Sequence, residues 1–285
     1  MDRNISVCLD GNFYPEDEKL FGAANRGFRY GDGLFETMHV NGTRIQFFSE
    51  HFSRLTAGMK LLKMNIPAGF TQDYLERLIS KLLNRNKLLK GAKIRLTVFR
   101  KDGGLYAPET NEFSFLIESA PLLDYKYQLN EKGLKLGLYL EHKKEVNEFC
   151  GIKSANSLIF VLAGIYKKSN FFDECIILNS ENRISETVSS NIFIVRDNEI
   201  FTPPLSEGCL PGIMRSKIIE LASENNFVVS DRYTFVPDDL AYADEIFLTN
   251  VINGIRWVGG FRQKRYFNFV SKKLVELLNE RFIGL

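Results

Sequence analysis

The chain has 285 residues, 45% of them apolar and 25% charged, with a formal net charge of +2 at pH 7. That composition belongs to a globular protein long enough to bury a core, and the near-neutral balance leaves no electrostatic footprint for nucleic acid or an anionic membrane. The longest apolar run, Leu158 to Tyr166, falls far short of the roughly 20 residues that span a bilayer.

The start, Met1-Asp-Arg-Asn4, lacks an apolar signal core, so export is not expected. Cys8, Cys150, Cys175 and Cys209 are scattered, which reads as reduced thiols of a cytoplasmic protein. His39, His51 and His142 form no metal-ligand pattern, and no metal is expected.

In chain order, Ile5 to Leu9, the Asp-Gly-Asn turn at 10–12 and Phe13 read as a hairpin. Phe28 to Val40 reads as a bent strand, Gly42 as a turn and Ile45 to Phe48 as a return strand. The period then changes: Phe52, Leu55, Met59 and Leu62 mark an amphipathic helix with Ser49 as its N-cap. A second helix covers about Thr71 to Asn84, and Ala92 to Arg100 and Glu112 to Glu118 read as strands.

Residues 119–133 show no period and are read as a connection between an N-terminal α/β domain (1–118) and a C-terminal domain (134–285). Leu134 to Glu141 is strand-like, and a helix follows Lys153. A meander is expected over Glu174 to Leu178, Ile184 to Val195 and Glu199 to Thr202. Helices are expected from Gly212 to about Glu224 and from Lys272 to Arg281, with a strand at Glu245 to Thr249. Strands and helices mix without strict alternation, which makes the fold class α+β.

Four segments offer chemistry. Lys153 is the only charged side chain between Glu148 and Lys167. A partly desolvated lysine has a lowered pKa and can act as a Schiff-base nucleophile or general base, although a lone lysine more commonly snorkels. Glu186 is the only charge between Arg183 and Arg196 and is surrounded by small hydroxyl residues. It suits a cationic ring nitrogen, with Ser189, Ser190 and Asn191 as anion donors, or it is a plain turn glutamate. Leu210-Pro-Gly-Ile-Met-Arg215 opens a helix whose unpaired amides suit a phosphate, or is an ordinary helix entry. Arg54 flanks the first amphipathic helix and can clamp a phosphate with paired donors, or is a solvated helix arginine. The dinucleotide fingerprint is incomplete at Gly31-Asp-Gly33, and no phosphate loop, nucleophile elbow or zinc-protease helix occurs.

Together these residues resemble the class IV aminotransferase family of pyridoxal-phosphate enzymes, which includes 4-amino-4-deoxychorismate lyase. The resemblance spans about Gly11 to Val258. It rests on Asn25-Arg-Gly-Phe-Arg-Tyr-Gly-Asp-Gly-Leu-Phe-Glu-Thr37, His51-Phe-Ser-Arg-Leu55, Cys150-Gly-Ile-Lys-Ser-Ala-Asn156, Ile184-Ser-Glu-Thr-Val-Ser-Ser-Asn191, Leu210-Pro-Gly-Ile-Met-Arg215 and Phe247-Leu-Thr-Asn250. It implies two α/β domains of the D-amino-acid aminotransferase-like fold with pyridoxal 5'-phosphate between them, and a homodimer. Lys153 then carries the cofactor and moves protons. Glu186 pairs with the ring nitrogen, and Arg54 with the amides of Ile213 and Met214 holds the phosphate. Leu210, Gly212, Asn250 and Val251 line the same site, although several relatives carry a hydroxyl where this chain has Val251.

The resemblance also sorts the substrate side, where Tyr30, Phe35 and Arg95 would face the substrate. D-amino-acid transaminases have tyrosine at position 35 and a strand-end arginine followed two residues later by histidine. Here Phe35 and Arg100-Lys-Asp102 break that carboxylate trap. Branched-chain enzymes usually have glycine at position 37 and a longer lysine-to-asparagine spacing, but share Arg95. The lyases share Phe35-Glu-Thr37, the short Lys153-Ser-Ala-Asn156 spacing and the Phe-Leu-Thr-Asn turn, and often carry an arginine absent from Gly103-Gly-Leu-Tyr106. The expected activity is the lyase reaction, which releases pyruvate and forms 4-aminobenzoate for folate biosynthesis, with Thr37 assisting proton delivery or serving as a plain strand residue. The alternatives are an amino-acid transaminase, branched-chain before D-amino acids, and a cofactor-free binding protein on the same fold.

Overall fold

The computed structural model describes residues 5–122 and 126–283. The chain forms two compact units: Met1–Tyr125 with Ile152–Asn156, and Lys126–Gly151 with Ser157–Leu285. Each has its own sheet and core, and the class is α+β.

In the first unit, β1 (Ser6–Leu9) and β2 (Asn12–Pro15) form a hairpin turned through Asp10 and Gly11, both at positive φ. Next come a short helix α1 (Arg26–Tyr30), β3 (Gly33–Asn41), β4 (Arg44–Ile45), α2 (Phe48–Leu61), α3 (Gln72–Arg85), β5 (Gly91–Arg100) and β6 (Phe113–Pro121). The six strands order as β2-β1-β6-β5-β3-β4. Strand alternation gives β3 two faces. Leu34, Met38 and Val40 join Leu55 and Met59 of α2 and Leu75, Ile79 and Leu82 of α3 in one core. Phe35 and Thr37 stand half-buried on the opposite face.

The second unit contains β7 (Leu134–Lys144), α4 (Leu158–Ser169), β8 (Glu174–Asn179), β9 (Ile184–Thr187), β10 (Asn191–Arg196), β11 (Glu199–Phe201), α5 (Ile213–Glu224), β12 (Val229–Ser230), β13 (Glu245–Asn250), β14 (Gly254–Phe261), β15 (Lys264–Arg265) and α6 (Phe269–Phe282). Its sheet runs β12-β11-β10-β13-β14-β7-β8-β9, with β15 beside β14. The β14–β7, β7–β8 and β11–β12 pairs are parallel and the others antiparallel.

Several elements differ from the sequence reading. Phe28 to Tyr30 lie in α1, because the Asn25 side chain accepts the Phe28 N–H and Gly31, at φ 63°, closes the helix in the left-handed region. The return strand stops at Ile45, and α2 begins at Phe48 after Phe47, whose φ is also positive, so Ser49 lies inside the first turn rather than capping it. The run from Ile184 to Val195 splits into β9 and β10 at a turn closed by Thr187 N–H to the Ser190 carbonyl, 2.8 Å. The expected meander is therefore two hairpins, β8–β9 and β10–β11, that stand apart in the sheet. β14, which its glycines hid, is an inner strand. β6 continues to Pro121, and 123–125 of the expected connection lie outside the described residues, as does the 1–4 start. The segment Ile152–Asn156 belongs to the first unit although the chain on both sides belongs to the second.

Gly133 and Gly259 bring two backbones together where β7 begins beside β14: a Cβ at 133 would overlap the Gly259 backbone. Gly133→Ala should destabilise the second unit by about 1–3 kcal/mol, read as an earlier unfolding transition in chemical denaturation.

Candidate active site

Lys153 is half-buried, and its place is set by backbone pairing. The Phe35 N–H donates to the Lys153 carbonyl at 2.9 Å, and the Ala155 N–H donates to the Gly33 carbonyl at 2.9 Å. Leu34 and Ser154 therefore face each other as an isolated antiparallel bridge on β3. The Asn156 side chain adds a bond to the Gly31 carbonyl at 3.2 Å. Lys153 Nζ stands 4.4 Å from the centre of the Phe35 ring, and Arg95 Cζ stands 3.9 Å from the same centre. Arg95 is the β5 partner of Thr37. Burial lowers the Arg95 pKa, and Glu118 at 3.9 Å works the other way. One half-exposed face thus gathers an amine, a hydroxyl, a guanidinium and an apolar ring. Tyr30, at the end of α1, lies 5.7 Å from Tyr106 between ring centres and under the Arg26 guanidinium.

Arg54 lies on the other side of β3. Its Nε and Nη2 donate to Glu36 Oε1 and Oε2 at 2.8 and 2.6 Å, so one guanidinium edge is committed inside the protein. The expected two-pronged clamp thus has its first prong on a protein carboxylate. His51 Nδ1 lies 2.7 Å from the same Oε2. Burial by itself would raise the Glu36 pKa, but these hydrogen bonds and charges outweigh it and hold the carboxyl below its usual range.

In the second unit, buried Glu186 on β9 accepts the Leu210 N–H through Oε2 at 3.2 Å and the Lys144 ammonium through Oε1. Asn191 donates to the Leu210 carbonyl at 2.9 Å. The helix α5 starts at Ile213 with Gly212 as N-cap and no side-chain cap, so the first-turn amides, including those of Ile213 and Met214, are not closed off by a side chain. A Cβ at 212 would overlap Asn191 Oδ1, which is why the cap is glycine. Asn250 donates to Ser190 Oγ at 3.0 Å and accepts the Ile252 and Asn253 amides through Oδ1. The Val251 carbonyl accepts the Tyr127 hydroxyl at 3.0 Å. The Ser189 hydroxyl points to buried Glu174 at 2.7 Å. In this arrangement the side chains of Asn191, Asn250 and Ser189 are spent on protein groups, Leu210, Ser190 and Glu174.

Residues 33–259 match the amino-transferase class IV family model. The chain belongs to the class IV aminotransferase family. It is 31% identical over 252 residues to a Methanocaldococcus jannaschii chain assigned as a branched-chain-amino-acid aminotransferase, covering 86% of this chain and 84% of that one. It is 28% identical over 238 residues to the aminodeoxychorismate lyase of Vibrio harveyi, covering 83% and 85%. The fold is that of the branched-chain aminotransferase of the archaeon Thermoproteus uzoniensis solved with norvaline, at TM-score 0.86 and 22% identity over 96% of this chain and 94% of that one.

Within this class IV chain, three residues went unread in the sequence. Glu36 sat inside a motif as a strand position. Lys144 was masked by the charged run Glu141 to Glu145, and the cue to it is that β7 continues past Glu141 to Lys144. Asp32 binds Arg26 and Arg100 through Oδ2, each at 2.9 Å. Arg100 is also held by Asn111 and the Leu62 carbonyl, which commits it to the interior. Arg26 in turn donates to the carbonyls of Gly103, Gly104 and Leu105 and fixes the path of that loop. Among the described residues no His, Cys, Asp and Glu group could hold a metal, and no helix is long and apolar enough to cross a membrane.

Lys144→Met should leave Glu186 buried without its cation and cost about 3 kcal/mol. Lys144→Met with Glu186→Gln should recover most of that loss in equilibrium unfolding.

Proposed function

We propose that this chain binds pyridoxal 5'-phosphate and acts as a 4-amino-4-deoxychorismate lyase. The donor set fits the cofactor: an uncapped helix start for a phosphate, a buried carboxylate for a cationic ring nitrogen, and a half-buried primary amine for an aldehyde. Lys153 and Arg54 of the first unit are assigned to it. Glu186, Leu210, Gly212, Ile213, Met214, Ser190 and Val251 of the second are assigned with them, and Asn191, Asn250 and Ser189 support these. When bound, the cofactor supplies an electron sink for the charge left by α-proton removal.

The protein's own residues do the rest. Lys153 Nζ takes the proton from the substrate's α-carbon. Glu186, paired with Lys144, would face the ring nitrogen and favour its protonated form. Arg95 receives a substrate carboxylate, and the Thr37 hydroxyl, across the strand from it, hands a proton to the departing enolpyruvyl carbon. Pyruvate leaves, and the six-membered ring that remains is aromatic 4-aminobenzoate. The observation that carries this reading is the Thr37–Arg95 pair on the same half-exposed face as Lys153 and Phe35. A strand-end carboxylate trap for D-amino acids is disfavoured, because Arg100 is buried and fully engaged.

A second reading, a branched-chain transaminase, draws on the apolar Phe35 ring below Arg95. It uses the same Lys153 without the Thr37 step.

We also infer a cytoplasmic homodimer. Leu158, Val161, Leu162 and Ile165 recur at three- and four-residue steps and form an exposed apolar stripe on α4. Cys8, Cys150, Cys175 and Cys209 are all free thiols.

The purified enzyme should be yellow. Borohydride should fix the cofactor on Lys153, and Lys153→Ala should abolish both colour and turnover. With aminodeoxychorismate it should release 4-aminobenzoate, and Thr37→Val should slow that release about 100-fold. Rapid keto-acid formation from leucine or valine with 2-oxoglutarate, without 4-aminobenzoate release, would establish the second reading instead.

A further inference from the structure

Glu36 is 1% exposed and occupies a core-facing position of β3 between Leu34 and Met38. A carboxylate in that position persists only if cations and donors compensate the lost water. Both compensating groups come from one face of α2, three residues apart: His51 and Arg54. The contact with Arg54 is a side-on fork, Nε to Oε1 and Nη2 to Oε2, which fixes the plane of the guanidinium as well as its distance. His51 Nδ1 on Oε2 stops the carboxylate from rotating, and His51 Nε2 is buried without a hydrogen-bond partner among the described residues. Arg54 therefore projects from a three-residue frame, with 13% of its side chain exposed.

We propose that Glu36, propped by His51, is a positioning residue that aims the Arg54 guanidinium at the phosphate of the cofactor. The proposal rests on the assignment of Arg54 to that phosphate. Two effects of Glu36 oppose each other. Its negative charge near a phosphate dianion weakens binding, while its fork removes the side-chain freedom that Arg54 would otherwise lose on binding. Orientation wins here, because a misaligned arginine gives up a charge-assisted hydrogen bond, whereas the charge of Glu36 is already matched by the arginine it holds.

The test uses apoprotein and two probes that differ only by the phosphate, pyridoxal 5'-phosphate and pyridoxal, with dissociation constants read by fluorescence quenching. The ratio of the pyridoxal constant to the pyridoxal 5'-phosphate constant reports the phosphate grip alone. In Glu36→Gln that ratio should fall about tenfold with pyridoxal affinity unchanged. Arg54→Gln should lower it at least as far, and adding Glu36→Gln to Arg54→Gln should lower it no further. An unchanged or raised ratio in Glu36→Gln overturns the proposal, as does an equal loss for both probes. If Arg54→Gln itself leaves the ratio intact, the assignment of Arg54 fails, and the role of Glu36 fails with it. If Arg54→Gln collapses the ratio and Glu36→Gln does not, only the role of Glu36 fails. Should Glu36→Gln not fold, Glu36→Asp, which keeps the charge and shortens the fork, decides: a lowered ratio supports the proposal and an unchanged one overturns it.

Discussion

Two backbone hydrogen bonds determine where Lys153 stands. Phe35 and Gly33 of β3 accept the segment Ile152–Asn156 as a short antiparallel partner, with Leu34 opposite Ser154. Strand geometry alternates side chains with period two, so pairing Phe35 with Lys153 puts their side chains on one side. A slip by one residue would send Lys153 to the face that carries Leu34 and Met38, where an ammonium has no place. The half-exposed cluster of Phe35, Thr37 and Arg95 then follows from the register of β3 against β5. A fold that held this lysine only by flanking loops would leave its amine free to wander.

The buried charges obey a common rule. Glu36 is matched by Arg54 and His51, half-buried Asp32 by Arg26 and Arg100, Glu186 by Lys144, and Glu207 by Arg183 and Asn179. Glu245 is compensated differently, by the first-turn amides and the Ser271 hydroxyl of α6. Each ion is cheap to keep and expensive to strip of its partner, because the desolvation has already been incurred. Such pairs also remove alternatives, since a buried carboxylate with two donors admits few rotamers. Both units thus present their candidate site residues from frames that are locked electrostatically as well as by packing.

Much of this was legible in the residues. The period change after Ser49 marked α2, and the apolar stretch after Lys153 marked α4, because amphipathic and apolar patterns report directly on burial. Positions set by backbone conformation were harder to read. Phe28 looked like a strand residue until the Asn25 cap and the left-handed Gly31 turned it into α1. β14 was lost because its glycines break the strand pattern, and Gly259 is needed for a close approach of two backbones. The return of 152–156 to the first unit has no local signal, since five residues paired to a distant strand leave no period. Lys153, Glu186 and the Gly212 helix start stood out by isolation in sequence. Glu36, Asp32 and Lys144 did not, because a partner across the fold cannot be read from spacing alone.

Arg26 grips the 103–105 loop through its main-chain carbonyls. The path of that loop is therefore written in one arginine and two glycines with positive φ, while Leu105 and Tyr106 stand 72% and 91% exposed. Shape and identity are uncoupled there: the tip can exchange its residues without redrawing its course. A lineage under pressure to handle a new molecule would find in this loop a place where sequence can drift at little structural cost, beside a core and an ion-pair frame that tolerate almost none.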